Sequence, residues 1–451
     1  MNEPSSVLRP GAQLVLKIDD ITSEGAGVGR VEGMVVFVPG ALPGDTVRVQ
    51  LNKLQKKLVQ GRLLSIESSA PGRRTSPCPH QGTCGGCPLM PLDEVIALRL
   101  KAHHLAETIR RIGRLDTPNP ETIASPLALR YRGRVRFAVA PREHGPLIGF
   151  HQRGRDNAMI AVGDCRIGPE RASQLAQRVV EALDRHTRRG SAQWPVALEL
   201  RGSLTRNEWL AVIVSETGAW PEAAVAATRA MEGAPDLVGV VRVEVRDEKI
   251  ARETLLAGRD SVVETIGGID VELSATNFLQ VNPPVAAMMY ARAGEWLTAE
   301  VPQLARLLDL FCGPGLAGFL STGAEVETIG IDNHAGAIAR AQRTAERTGR
   351  HRSRFVARDA RAALRDMAQS GERFDAAIIN PPRAGLGADL APVLADLRPR
   401  ALVMMSCHPA ALARDIAGLA LHGFALTKLA AVDMFPQTAE LETLALMVAH
   451  A

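Results

Sequence analysis

Apolar and polar positions alternate with period two from Gln13 to Ile18. They merge into an apolar run over Met34 to Val38, alternate again over Thr46 to Leu51, and close with Leu58 to Ile66. Turn residues punctuate the set: Gly25-Ala26-Gly27-Val28-Gly29-Arg30, Pro39-Gly40 and Pro43-Gly44-Asp45. Short strands at this spacing predict a small OB-like barrel over residues 1–70. No helical pattern follows the glycine bend, which separates it from a dinucleotide fingerprint. Between residues 91 and 115 the period becomes helical, with Val95, Leu98, Ala102, Leu105, Ile109 and Ile112 recurring on one face. Glu170 to His186 and Pro221 to Met231 read as further helices. Tyr131 to Phe137, Val196 to Leu200, Trp209 to Val214 and Val238 to Val245 read as strands. A central α/β domain is therefore expected over residues 71–275, with a packing helix at 91–115 that docks on the domain that follows.

Residues 276–451 carry the pattern of a doubly wound, Rossmann-like sheet. Leu307 to Phe311 is a buried-strand run, followed by Gly313 and Gly315 and then a helix. Ile329 to Asp332 and Arg354 to Asp359 are strands ending in an acid, and Phe374 to Ile379 runs into Asn380-Pro381-Pro382-Arg383. This succession predicts an S-adenosylmethionine methyltransferase core, with Asp332 on the ribose hydroxyls and Asp359 near the adenine amino group. Asp309, Gly313, Gly315 and Asn380 complete the strand ends and turns expected around the cofactor.

One more apolar run, Ala401 to Met405, ends in Ser406-Cys407-His408-Pro409. A lone cysteine is ordinarily a small core residue. At a strand end of a nucleotide-type sheet it is also placed for covalent catalysis. Cys312, inside the glycine turn, reads as packing, and His408 and Asp433 have no assigned role. Cys78, Cys84 and Cys87 cluster in a glycine-rich loop, and Cys165 is the one other cysteine outside the C-terminal domain. An all-thiolate set of this kind suits an iron–sulfur cluster or zinc, and the spacing does not choose between them.

Composition narrows the picture further. The 451 residues suffice for about two to three domains, and 46% apolar residues can fill real cores. No apolar run has membrane-spanning length, and the N-terminus lacks a signal pattern, so a cytoplasmic protein is expected. A net charge of +4 does not by itself announce a nucleic-acid partner. Lys53, Lys56, Lys57 and Arg62 nonetheless make a basic edge on the barrel, with Arg73 and Arg74 just beyond, and such an edge on an OB-like fold suits RNA.

The stretch Glu24 to Arg30, with Val36-Phe37-Val38-Pro39-Gly40 and Gly44-Asp45, resembles a TRAM domain, an RNA-binding module. That start, the four cysteines, Phe278-Leu279-Gln280-Val281-Asn282, Asp309 to Gly315, Pro381-Pro382-Arg383, Ser406-Cys407 and Leu441-Glu442 together resemble the RNA uracil-5-methyltransferases. Within them, the chain is most similar to the bacterial 23S rRNA (uracil-1939) type. The resemblance implies methylation of uridine carbon 5 in RNA, ribosomal RNA first with transfer RNA as the alternative, and S-adenosylmethionine as donor; no obligate protein partner is evident in the sequence. It implies that Gln280 and Asp332 bind the cofactor, that Cys407 is the nucleophile and Glu442 the base, and that Cys78, Cys84, Cys87 and Cys165 hold a [4Fe–4S] cluster. Glu440 is expected to face solvent on the same strand as Glu442.

The chain departs from the family pattern at several positions. Asn380 stands where an Asp is usual, Leu316 and Ala317 replace Asn and Phe, and Gly133-Arg134 replaces Asn-Lys. Three other readings fit the chain less well. The Cys-x5-Cys-x2-Cys spacing is wrong for a radical methylthiotransferase. An amino-group methyltransferase would want an aromatic at Arg383 and leaves Cys407 unexplained. An RNA-binding relic conflicts with the intact Cys407 and Glu442.

Overall fold

The computed structural model describes residues 8–54, 58–141, 145–187 and 194–450. Five strands close into a barrel: β1 (Gln13–Ile21), β2 (Ala26–Val31), β3 (Met34–Pro39), β4 (Thr46–Leu54) and β5 (Leu58–Ser68). Their order is β1-β2-β3-β5-β4, and β4 pairs back onto β1. The period-two pattern turns Leu16, Ile18, Val36, Val38, Val47, Val49 and Val59 into one apolar core. The glycine bend belongs to this barrel: a Cβ on Gly29 would lie 1.9 Å from the Leu16 side chain, so glycine is required there for close packing. Of the expected basic edge, Lys56, Lys57 and the Lys53 side chain lie outside the described residues. Arg73 and Arg74 are held by acids instead of extending that edge. Arg73 donates to Asp45 at 2.9 Å and Arg74 to Glu94 at 2.7 Å.

The expected helix at 91–115 is α1 (Glu94–Thr108), prolonged by one π-helical turn over Ile109–Gly113. Leu98, Ala102, Leu105 and Ile109 are buried as the periodicity requires, but Val95 and Ile112 are 57% and 44% exposed. Val95 sits in the first turn, and the wider π turn carries Ile112 off the buried stripe.

The strand β6 (Glu121–Ile123) leaves this region for the C-terminal sheet. The central sheet then forms from β7 (Arg134–Ala140), β8 (Leu147–Gln152) and β9 (Arg155–Ala161), followed after α2 (Glu170–His186) by β10 (Pro195–Ser203) and β11 (Glu208–Glu216). After α3 (Ala223–Met231) come β12 (Leu237–Arg246) and β13 (Lys249–Gly258), giving the order β13-β12-β11-β10-β7-β8-β9. A hairpin of β14 (Ser261–Ile266) and β15 (Ile269–Ser274) leads into α4 (Pro283–Glu300).

The C-terminal sheet alternates strand and helix: β16 (Arg306–Leu310), α5 (Leu316–Ser321), β17 (Glu327–Asp332), α6 (Ala335–Arg347), β18 (Ser353–Ala357) and α7 (Ala360–Gln369). It continues with β19 (Ala376–Ile379), α8 (Leu390–Asp396), β20 (Ala401–Ser406), α9 (Pro409–Ala420), β21 (Phe424–Val432) and β22 (Glu442–Ala449). The eight strands run β18-β17-β16-β19-β20-β22-β21-β6. From β18 to β20 all pairings are parallel; β22 is antiparallel to both β20 and β21. Parallel strands covered on both faces read as continuous apolar runs, as β19 and β20 do. Among the described residues no helix is long and apolar enough to cross a membrane.

The chain divides into two compact units. One holds Met1–Arg99 with Phe150–Ile160 and Phe435–Glu440; the other holds Leu100–Gly149, Ala161–Met434 and Leu441–Ala451. These units cut across the boundaries expected at residues 70 and 275. Sequence-local patterning cannot register a short strand such as β6, which pairs with β21 through Glu121, Thr122 and Ile123 from some three hundred residues away in the chain.

Within the second unit, Lys101 on α1 pairs with Asp433, just past β21, at 2.8 Å, with side chains 5% and 8% exposed. Removing one partner of a buried pair strands the other charge. Lys101→Ala is therefore expected to cost about 3–5 kcal/mol in urea unfolding, and the double change Lys101→Met with Asp433→Leu to recover most of it. A single-variant loss below about 1 kcal/mol would mark the pair as solvated.

Candidate active site

Strand order reverses beside β16, since β17 and β18 extend to one side and β19 and β20 to the other. The carboxyl ends of the strands open a crevice at such a switch point. A pocket lies there, with a floor formed by Phe311, Cys312, Gly313 and Pro314 after β16. Asn380, after β19, and Leu316 and Ala317 of α5 also line it, while Phe278, Leu279, Gln280 and Tyr290 close it from the segment around the start of α4.

The turn after β16 has special geometry. Phe311 is held at φ 57°, a left-handed conformation rare for an aromatic residue, and Gly313 and Gly315 follow at φ 52° and 81°. A Cβ on Gly315 would press on Phe319 and Phe355, whereas one on Gly313 would meet nothing within 4 Å. Gly313 thus presents bare backbone to the pocket, and its N–H is held by the Asp332 carboxylate at 3.0 Å. Asp332 ends β17 and also accepts the His334 N–H at 2.8 Å, while the His334 Nδ1 caps α6 by accepting from Ala337 at 3.0 Å. A cradle of open glycine backbone beside a strand-end carboxylate fits a nucleoside with vicinal hydroxyls.

Asp309 lies behind that turn, inside β16 and fully buried. One carboxylate oxygen accepts the Gly318 N–H at 3.0 Å, and the other has no hydrogen-bond partner. Burial, reinforced by the charge of Asp332 and opposed by the Gly318 N–H, pushes the Asp309 carboxyl up to about 7. Burial likewise raises the Cys312 thiol, which packs against Phe319 and Phe355. Cys312 is therefore a packing residue that also lines the pocket.

Of the residues expected around the cofactor, Gln280, Gly313 and Asn380 line the pocket and Asp309, Gly315 and Asp332 support its floor. Asp359 is used differently. It is exposed and caps α7, accepting the Ala362 N–H at 3.0 Å, and it is not among the lining residues. Phe278, Phe311 and Tyr290 had not been singled out as site residues. Phe278 lay within a noted motif, but nothing along the chain marks Tyr290, which reaches the pocket through the packing of α4.

Cys407 follows the last residue of β20 and precedes α9. Its strand pairs antiparallel with β22 in the register Ser406–Thr443, locked by the Thr443 hydroxyl donating to the Ser406 carbonyl at 2.7 Å. The pairing stops there: Cys407 lies one residue past β20, and Glu442, 2% exposed, is the first residue of β22. His408 gains a role here: its Nδ1 accepts the Ala411 N–H at 3.1 Å and caps α9. Burial, and then the charges of Glu442 and Asp309, raise the phenol of Tyr290 in the pocket wall. Glu440 is exposed as expected, but it precedes the strand and does not share it.

The cysteine cluster behaves otherwise. All six cysteines are thiols, and Cys78, Cys84, Cys87 and Cys165 are half-buried. Cys84 and Cys87 both lie within electrostatic reach of Arg153, itself deprived of water. Among the described residues no group of three or more His, Cys, Asp or Glu side chains is placed to hold a metal ion. Cys78, Cys84 and Cys87 belong to the first compact unit and Cys165 to the second.

Two domain families match the chain: the TRAM domain over residues 8–64 and a methyltransferase domain over residues 303–410. An uncharacterized RNA methyltransferase of Thermosynechococcus vestitus is 31% identical over 467 residues, spanning 98% of this chain and 99% of its own. Another, of Halalkalibacterium halodurans, is 29% identical over 444 residues and 95% of each chain. Among solved structures, the Pyrococcus abyssi tRNA (uracil-54, C5)-methyltransferase in complex with S-adenosyl-L-homocysteine superposes with a TM-score of 0.74. It does so over 96% of this chain and 100% of its own at 21% identity. At that identity the likeness is one of fold.

The raised Asp309 carboxyl has a consequence for stability. Its folded-state value, about 7, exceeds the ordinary 3.8, so the folded state binds the extra proton between those two values. Stability must then fall as pH rises through that window. Relative to Asp309→Asn, the wild-type chain is expected to lose a few kcal/mol between about pH 4 and about pH 7, followed by denaturant unfolding. A difference that does not change with pH would mean that the carboxyl titrates normally.

Proposed function

We propose a reaction for this chain from one premise: it belongs to the RNA methyltransferase family. The reaction is methylation of carbon 5 of a uridine in RNA, with S-adenosylmethionine as donor. The observation that supports it is the antiparallel pairing of β20 with β22, which runs to Ser406–Thr443, one residue short of Cys407 and Glu442, in the sheet whose strand order reverses at the pocket. When bound, S-adenosylmethionine supplies an electrophilic methyl group. Gln280, the Gly313 backbone and Asp332 are the residues that would hold it, and Leu316 and Ala317 would give it an apolar wall.

Carbon 5 of uracil is too weak a nucleophile to take a methyl group unaided. The Cys407 thiolate adds to carbon 6, forming a carbon–sulfur bond and pushing the ring electrons into an enolate that makes carbon 5 nucleophilic. Such attack needs the base outside its stack, where the thiol can approach the ring face. Carbon 5 would then bond to the methyl group, whose bond to sulfur breaks to leave S-adenosylhomocysteine, and the Glu442 carboxylate removes the carbon-5 proton. The electrons re-form the ring double bond, the carbon–sulfur bond breaks, and the thiolate is regenerated. The barrel, with its exposed Arg62, supplies sequence-independent attraction to the RNA backbone in this reading. Ribosomal RNA of the 23S type is the first substrate in this reading and transfer RNA the alternative. The [4Fe–4S] cluster implied by the cysteine pattern takes no part in these steps.

The test is a covalent trap. Incubation with S-adenosylmethionine and RNA carrying 5-fluorouridine is expected to give a denaturation-resistant adduct, because fluorine cannot leave as a proton does. Cys407→Ala should abolish the adduct, and mapping the trapped RNA identifies the target. Glu442→Gln should form adduct with ordinary uridine RNA and release it at least about a hundredfold more slowly, the usual reach of general base catalysis. No adduct with either RNA class, in protein that still binds the cofactor, would overturn Cys407 as nucleophile.

A further inference from the structure

The pocket wall Phe278–Gln280 has no regular secondary structure of its own. On its far side the Val281 carbonyl accepts the Gly133 N–H at 2.8 Å. On its near side the Asn277 carbonyl is held by Arg201, whose Nη1 forks between it, at 2.6 Å, and the Ser274 carbonyl, at 2.7 Å. Asn277 also ties the turn together, accepting the Ser274 N–H at 2.8 Å and donating to the Glu272 carbonyl at 2.9 Å. The three wall residues are thus suspended between two fixed points, one of them a side chain from the middle of the central sheet.

Arg201 is an expensive way to fix a loop if stability were its purpose. Its side chain is 4% exposed, and its partner Glu199, two residues earlier on the same face of β10, is 2% exposed. Buried ion pairs are weak contributors to stability, and apolar residues of similar volume usually replace them without loss. Here only the Arg201 Nε is spent on Glu199; the Nη1 fork goes to the two carbonyls. Glu199 is in turn shared with Arg134 of β7 at 2.8 Å. This second partner fixes the carboxylate, which fixes the plane of the guanidinium, which fixes the Asn277 carbonyl. A planar fork with five donors can make that connection, whereas a point-charge ammonium cannot.

We propose that Arg201 is a positioning residue that acts through Gln280, holding the Phe278–Gln280 wall at the spacing the adenosyl ligand requires. The inference rests on the cofactor reading of the pocket. It assigns a function in that pocket to a strand of the central sheet, in which nothing in the sequence carried chemistry.

Calorimetric binding of S-adenosylhomocysteine to the full chain tests it, with the melting temperature of each variant measured without ligand. Arg201→Lys keeps the charge and loses the fork. It is expected to weaken binding about tenfold with little change in melting temperature, and Gln280→Ala to weaken it at least as much. The double variant should bind no more weakly than Gln280→Ala alone, because Arg201 acts through that side chain. Arg201→Met combined with Glu199→Leu, which leaves no stranded carboxylate, repeats the cycle if the lysine variant proves unstable. Additive losses, or unchanged affinity in both Arg201 variants while Gln280→Ala is impaired, would overturn the inference and leave the pocket reading standing. Unchanged affinity in Gln280→Ala itself would overturn the role of Gln280 and this inference with it.

Discussion

Everything in the candidate site depends on the reversal of strand order beside β16. A parallel sheet wound in one direction covers each strand end with the next crossover. Where the winding turns back, two neighbouring strand ends stay uncovered, and the turns after β16 and β19 are free to enclose a ligand. Gly313 and Asn380 meet in the pocket for this reason, although 66 residues separate them. The antiparallel insertion of β22 beside β20 uses the same end of the sheet again. It sets the start of one strand against the end of another, Thr443 against Ser406.

That arrangement concentrates charge where water is scarce. Asp309 is buried behind the glycine turn with half its carboxylate unpartnered, and its main service is to hold the Gly318 N–H at the start of α5. Asp332 performs the matching task from the neighbouring strand, on Gly313. Two carboxylates therefore shape one turn from behind and beside it, and the more deeply buried one tends towards its neutral form. Lys101 with Asp433, and Arg201 with Glu199 and Arg134, are ionic fixtures of another kind. Their charges are compensated within the fold, and their value is geometric: each pins a segment next to the pocket or to the Cys407–Glu442 pair.

Histidine is used twice as a helix cap, at His334 after β17 and at His408 after β20. In both cases the ring nitrogen accepts a backbone N–H of the first turn that also reaches the histidine's own carbonyl. For His408 this occupies one ring nitrogen of the side chain that follows Cys407 in the chain.

Much of this was legible in the chain. Period-two alternation determined the barrel, and buried runs ending in Asp332, Asn380 and Cys407 determined the doubly wound sheet and the edge on which its chemistry sits. These are local signals, because side-chain periodicity and glycine turns are set by the backbone itself. Other features could not be read there. Asp359 has the same strand-end setting as Asp332, yet it caps α7, since the choice between a ligand and a helix N–H is made by the direction of the following backbone. Tyr290, Arg201 and Lys101 lie in segments whose pattern says only helix or strand. Their roles arise from what packs against them, as does the recruitment of β6 to a distant sheet edge. The sequence by itself determined which strands end in reactive groups; the tertiary structure decided which of those groups face one another, because that depends on register and on contacts far apart in the chain.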